Sequence, residues 1–221
     1  MNQFDRQRQV LAISLAALAG YVDAIGFLSA DGYFVSFMSG NTTRLAVNLA
    51  TGAGTALTPA LLIGGFVAGV IVGALIAIKA GSWRKPAVLT LVAVLLANAA
   101  ALHGLGSPDA ALAATVITMG AINNTFQREG EVAVGLTYMT GALVRLGQAI
   151  GAVLAGHGLR AGWQAHALLW SGLAGGAIGG AVIFGHLGPA ALWLGAMVAT
   201  IQAAVAWRLV GQDAPPPAPS A

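Results

Sequence analysis

Eight apolar stretches follow one another with only short polar breaks, over approximately residues 10–30, 35–50, 57–78, 86–105, 110–126, 133–155, 164–184 and 188–208. About 20 such residues in a helix cross a hydrocarbon core about 30 Å thick. A transmembrane barrel would instead show alternating segments of about ten residues, and none is present. The chain therefore reads as an all-α membrane protein. Composition agrees: 8% of residues are charged, against about 25% in soluble domains, so the chain cannot cover a water-facing surface. Mean hydropathy is +0.81.

The 31 glycines suit helices that approach closely in lipid, where van der Waals contact drives association. Without cysteine there is no disulfide, thiolate metal site or thiol nucleophile. The net charge of +3 is modest and sits in short loops, which marks topology and not a nucleic-acid footprint. Arg6 and Arg8 precede the first stretch as in a signal peptide, but that stretch is longer than a usual h-region and contains Asp23. It is read as part of the mature protein. Residues 1–9 then form a cytoplasmic N-terminus, and the proline-rich 211–221 a disordered cytoplasmic tail.

Two stretches about 100 residues apart align. The first is GYVDAIGF from Gly20, followed by FMSGNTTRLAVNLA from Phe37; the second is GAINNTFQ from Gly120, followed by YMTGALVRLGQAIG from Tyr138. Gly20 pairs with Gly120, Asp23 with Asn123, Ser39 with Thr140, Gly40 with Gly141 and Arg44 with Arg145. Arginine and the [ST]-G step are scarce here, so the match indicates duplication, with halves at 10–105 and 106–210.

Charge chooses between two topologies, because cytoplasmic loops are enriched in Lys and Arg. If all eight stretches cross, Arg6, Arg8, Arg160 and Arg208 fall on one side and Lys79, Arg84, Lys85 and Arg128 on the other. If 35–50 and 133–155 are broken or re-entrant, all eight lie on the cytoplasmic side. Six spans remain, three per half. An odd number inverts the second half, giving the inverted 3+3 repeat common in secondary transporters.

Ser39, Gly40, Asn41 and Thr42 read as a helix N-terminus at membrane depth, since Ser is a good N-cap and the preceding Tyr33–Phe37 has strand-like composition. Free N–H groups there attract anions. Thr140 and Gly141 would supply the opposing copy. Arg44 and Arg145 lie inside apolar stretches, at a cost of about 2.5–3.5 kcal/mol on insertion scales. Asp23 is the available partner for Arg44, or a site for a coupling proton or Na⁺. Arg145 has no equivalent acid, which makes it the better contact for an anion. Asn123 and Asn124 add amide donors and acceptors at similar depth.

No nucleophile elbow, zinc-protease helix or phosphate-binding loop occurs, so no enzyme, cofactor or metal site is expected. His103, His157, His166 and His186 fall at predicted span ends, and the five tryptophans mostly flank spans as interfacial anchors.

The blocks G-Y-V-D-A-I-G-F, F-x-S-F-M-S-G-N-T-T (ending at Thr43) and G-A-x-N-N-T-F resemble the YoaK-like family of bacterial membrane proteins, a family of unknown function with six predicted spans. The likeness covers about residues 10–210. It implies an inner-membrane location and six spans, and brings no substrate. The residues themselves point to a secondary transporter of a small anionic solute, held between two half-helix N-termini; a channel and a non-transporting scaffold are the alternatives. Expected partners are the lipid bilayer and a small molecule or ion; glycine-rich faces permit a homodimer.

Overall fold

Long runs of Leu, Val, Ile, Ala and Gly with proline only at their starts form unbroken helices. Pro59, Pro86 and Pro108 each fall in the first turn of a helix, where the missing N–H is not needed. The computed structural model describes residues 6–52, 54–125, 127–128, 131–132, 139–157 and 163–212. Among these, eight α-helices follow in order: α1 Arg6–Ser29, α2 Met38–Ala50, α3 Leu57–Ala80, α4 Arg84–Gly104, α5 Pro108–Ala121, α6 Thr140–Leu154, α7 Trp163–Leu187 and α8 Leu192–Gln212. A short hairpin between α5 and α6 pairs Gln127 with Val132 in antiparallel register.

Among the described residues three apolar stretches are long enough to cross a membrane: Gln9–Ser29, Leu57–Gly104 and Trp163–Val210. Each of the two 48-residue stretches is folded at a 3-10 turn, Gly81–Trp83 in one and Gly188–Ala191 in the other. Gly81 (φ 53°) and Gly188 (φ 57°) open these turns in a backbone conformation that costs glycine little. The chain reverses direction at both turns, from α3 to α4 and from α7 to α8. By contrast α2 has 13 residues and α6 has 15, about 20 Å each at 1.5 Å per residue, too short for the crossing. The element expected at 35–50 is thus a short helix preceded by a bent, irregular lead in place of the expected extended one. In the second copy only α6 is described; residues 133–138, the termini 1–5 and 213–221, and Arg160 lie outside the described residues.

Helix α1 packs along α7, α3 along α5, α4 along α8 and α5, α2 on α3, and α6 on α7. Glycine sets the closest of these approaches. On α7, a Cβ at Gly172, Gly176 or Gly180 would meet the backbone carbonyls of Ile13, Ala17 and Tyr21 in turn, and one at Gly20 that of Leu173. Rising numbers on both helices make α1 and α7 parallel. On α3, Gly69 and Gly73 meet Ile117 and Ala121 of α5, while Gly120 meets Phe66, so α3 and α5 are parallel too. The centre is filled by side chains with no exposure, among them Leu15 and Val22 of α1, Leu89, Val92 and Leu96 of α4, and Val116 and Met119 of α5. Large apolar side chains on α3, α7 and α8, such as Ile71, Ile78, Ile178, Val182 and Ile201, point outward, as lipid contact requires.

Candidate functional site

The loop after α1 contains an irregular, bent piece, Tyr33–Phe37, whose peptide groups pair with no strand among the described residues. Buried backbone polar groups must find partners, and two side chains provide them. Asp23 Oδ1 accepts from Val35 N–H at 3.0 Å and from Ser36 N–H at 2.8 Å. Asn41, with no exposed surface, takes both groups of Phe34: its Nδ2 donates to Phe34 O at 2.7 Å and its Oδ1 accepts from Phe34 N–H at 3.2 Å. An acid and an amide within apolar sequence therefore hold three consecutive peptides. Phe34 also packs against Phe27 and Phe37, with ring centroids 5.0 and 5.1 Å away.

No ion pair joins Asp23 to Arg44 among the described residues. Arg44 instead lies over the Tyr33 ring, its Cζ 4.8 Å from the centroid, an interaction worth about 0.5–1 kcal/mol where exposed. The N-terminus of α2 also differs from expectation. Phe37 occupies the cap position without a side-chain bond, and Ser39 is exposed one residue into the helix. The N–H groups of Met38, Gly40 and Asn41 already bond to the carbonyls of Ser36 and Phe37, leaving little of this terminus for an anion. Thr42 bonds back to Met38 O at 2.8 Å, the usual use of a helical hydroxyl.

In the second half, Asn123 Nδ2 donates to Met119 O at 2.9 Å, and Asn124 Nδ2 reaches across to Val70 O of α3 at 3.1 Å. Both amides are buried. Thr140 and Arg145 are exposed on α6, and nothing lies within 4 Å of where a Gly141 Cβ would stand. The structure therefore brings together Asp23, Asn41 and the 33–37 segment. It places the arginines and [ST]-G steps on helices docked to different partners, α2 on α3 and α6 on α7.

A cavity of about 300 Å³ opens at the end of the bundle where α1 and α4 finish and α3, α5 and α8 begin. Its polar wall comes from Ser29, Asp31, Tyr33, Thr55 and Thr58 on the first half's links, and from His103, Asp109 and Thr115 around the α4–α5 link. Ile25, Leu112 and Leu192 supply the apolar remainder. Among the described residues neither Lys nor Arg lines it. Asp31 has φ 48°, a left-handed conformation that aspartate tolerates, and with Gly32 (φ 78°) it ends α1 and turns the chain into the pinned segment. Sequence reading did not single out Asp31 or Asp109, and placed His103 only at a span end. The signal for the acids was there: in the six-span arrangement both fall on the side opposite the eight loop Lys and Arg residues.

Comparison with known proteins gives a consistent class. A family described as a protein of unknown function (DUF1275) matches residues 11–205. A UPF0700 transmembrane protein of Rhizobium meliloti (strain 1021) is 39% identical over 209 residues, covering 92% of this chain and 90% of the relative. No solved structure matches.

Proposed function

The chain belongs to the DUF1275 family of membrane proteins of unknown function, and we propose that it is a six-span secondary transporter built as an inverted 3+3 repeat. The observation that carries this reading is the pairing of helices. Advancing each label by four turns the α1–α7 pair into α5–α3 and α2–α3 into α6–α7, while α4–α8 maps onto itself. Glycines follow the same rule: Gly65, Gly69 and Gly73 of α3 correspond to Gly172, Gly176 and Gly180 of α7, and Gly120 of α5 to Gly20 of α1. Direction supports inversion. Helices α1, α4 and α7 run toward the cavity end and α3, α5 and α8 away from it, so each half is the other turned over.

Under this reading α2 and α6 are the non-crossing elements, and Lys79, Arg84, Lys85 and Arg208 lie at the cytoplasmic end in the inner membrane. The cavity faces outward. Interlocked inverted halves around a solute site are a recurring basis for alternating access. The cavity, with its convergent polar groups, is the natural candidate for that site. An anionic solute would need the α2 and α6 N-termini and both arginines to converge. They dock on different helices, and the cavity presents carboxylates.

A non-transporting scaffold is the second reading, favoured by the fully packed α1–α4–α5 centre. Uptake by purified protein in proteoliposomes, measured over a panel of small cationic, anionic and neutral solutes, separates the two. Saturable uptake of at least one class is expected. Uptake no greater than in protein-free liposomes across the panel, by protein that keeps its cooperative thermal transition, would leave the scaffold.

A further inference from the structure

We infer that the cavity between α1, α4 and α5 is a site for a small organic ammonium cation, an assignment that rests on the transporter reading only for its role and not for binding. Three properties of the cavity carry it. The first is charge. Asp31 and Asp109 enter from opposite halves of the chain, and no Lys or Arg lines the wall among the described residues. The guanidinium associated with this wall, that of Arg44, stays outside the lining and lies over the Tyr33 ring. A carboxylate pair in a concave, partly apolar site attracts cations and repels anions.

The second property separates an organic cation from a metal ion. Among the described residues no group of three or more His, Asp or Glu is arranged to hold a metal. A bare divalent ion takes six or more oxygen ligands in a tight shell, whereas here two carboxylates share a chamber of about 300 Å³. That volume matches the lower end of the range for small-molecule sites. The third is the remainder of the lining. Ile25, Leu112 and Leu192 suit the carbon substituents of an alkylammonium group, and Ser29, Thr55 and Thr58 offer hydroxyls to a polar tail.

The position of Tyr33 is itself maintained. It directly precedes the peptides held by Asn41 and Asp23, so the aromatic wall is anchored to α1 and α2 before any ligand arrives.

The chain has no native cysteine, so Thr58→Cys places a single thiol at the cavity wall for a charge-selective test. We compare its labelling by a trimethylammonium-bearing and a sulfonate-bearing methanethiosulfonate reagent, each with and without tetramethylammonium chloride or sodium methanesulfonate at equal ionic strength. The cationic reagent is expected to react at least tenfold faster relative to free thiol. Tetramethylammonium should slow labelling and methanesulfonate should not. Asp31→Asn and Asp109→Asn, added singly, should each reduce the cationic preference several-fold. Equal normalised rates for the two reagents, protection by methanesulfonate, or a preference unchanged in both variants would overturn the inference. Uptake of tetramethylammonium into proteoliposomes is read separately. Protection without uptake of any solute keeps the cation site and removes the transporter role, whereas saturable uptake of methanesulfonate without cation-selective labelling does the reverse.

Discussion

Asp23 is a costly residue to place in this fold, an acid within an apolar helix, and its surroundings explain why it is there. Its Oδ1 serves two backbone N–H groups of a segment that has no sheet to join. Replacing it with leucine leaves those donors without their acceptor, at about 1–3 kcal/mol for each buried group left unsatisfied. Asp23→Leu is therefore expected to lower the thermal midpoint in detergent sharply, and Asp23→Asn, which keeps an acceptor oxygen, to lower it less. Equal losses would mean that the charge and not the hydrogen bonds matters. The sequence marks Asp23 as exceptional because an acid inside an apolar stretch is rare. Its partners were not legible, because backbone amides leave no sequence signature and Arg44 was the visible alternative. Asn41 illustrates the same limit: its amide is consumed by Phe34, which no spacing rule reveals.

Glycine determines how the elements pack, and only some glycines do so. Gly69 and Gly176 lie against the backbones of Ile117 and Ala17, whereas Gly64 and Gly179 have nothing within 4 Å of a Cβ position. Overpacking at a tight contact typically costs about 1–3 kcal/mol, and more when the obstacle is a facing backbone that cannot rotate away. Gly69→Leu and Gly176→Leu are expected to abolish the monodisperse peak in size-exclusion chromatography; Gly64→Leu and Gly179→Leu should retain it. The reverse ranking would mean that the α1–α7 and α3–α5 contacts are misassigned. Helical spans and small-residue packing were readable from apolar length and glycine content. Which member of each Gly175-Gly176 and Gly179-Gly180 pair faces its neighbour was not, because adjacent residues differ by about 100° around a helix and both are small.

At the scale of the molecule, the membrane class, the helical architecture and the family resemblance were all legible, the first two because apolar length is a strong constraint and the third because three motif blocks are specific. The location of the cavity was not. It is assembled from helix ends that are far apart in sequence, and Asp31 and Asp109 look like ordinary loop acids until α1, α4 and α5 meet. The two half-helix N-termini stand out in the sequence because their residues align between halves. In the fold α2 docks on α3 and α6 on α7, so alignment in sequence alone does not bring the two N-termini together.

The central claim, inversion of one half relative to the other, is tested most directly at the equivalent turns Gly81–Trp83 and Gly188–Ala191. In this cysteine-free chain, Ser82→Cys and Ala190→Cys each place one exposed thiol for labelling with a membrane-impermeant maleimide in intact and in permeabilised cells. The inverted repeat predicts that Ala190→Cys labels in intact cells and Ser82→Cys only after permeabilisation. Labelling of both from the same side would contradict it.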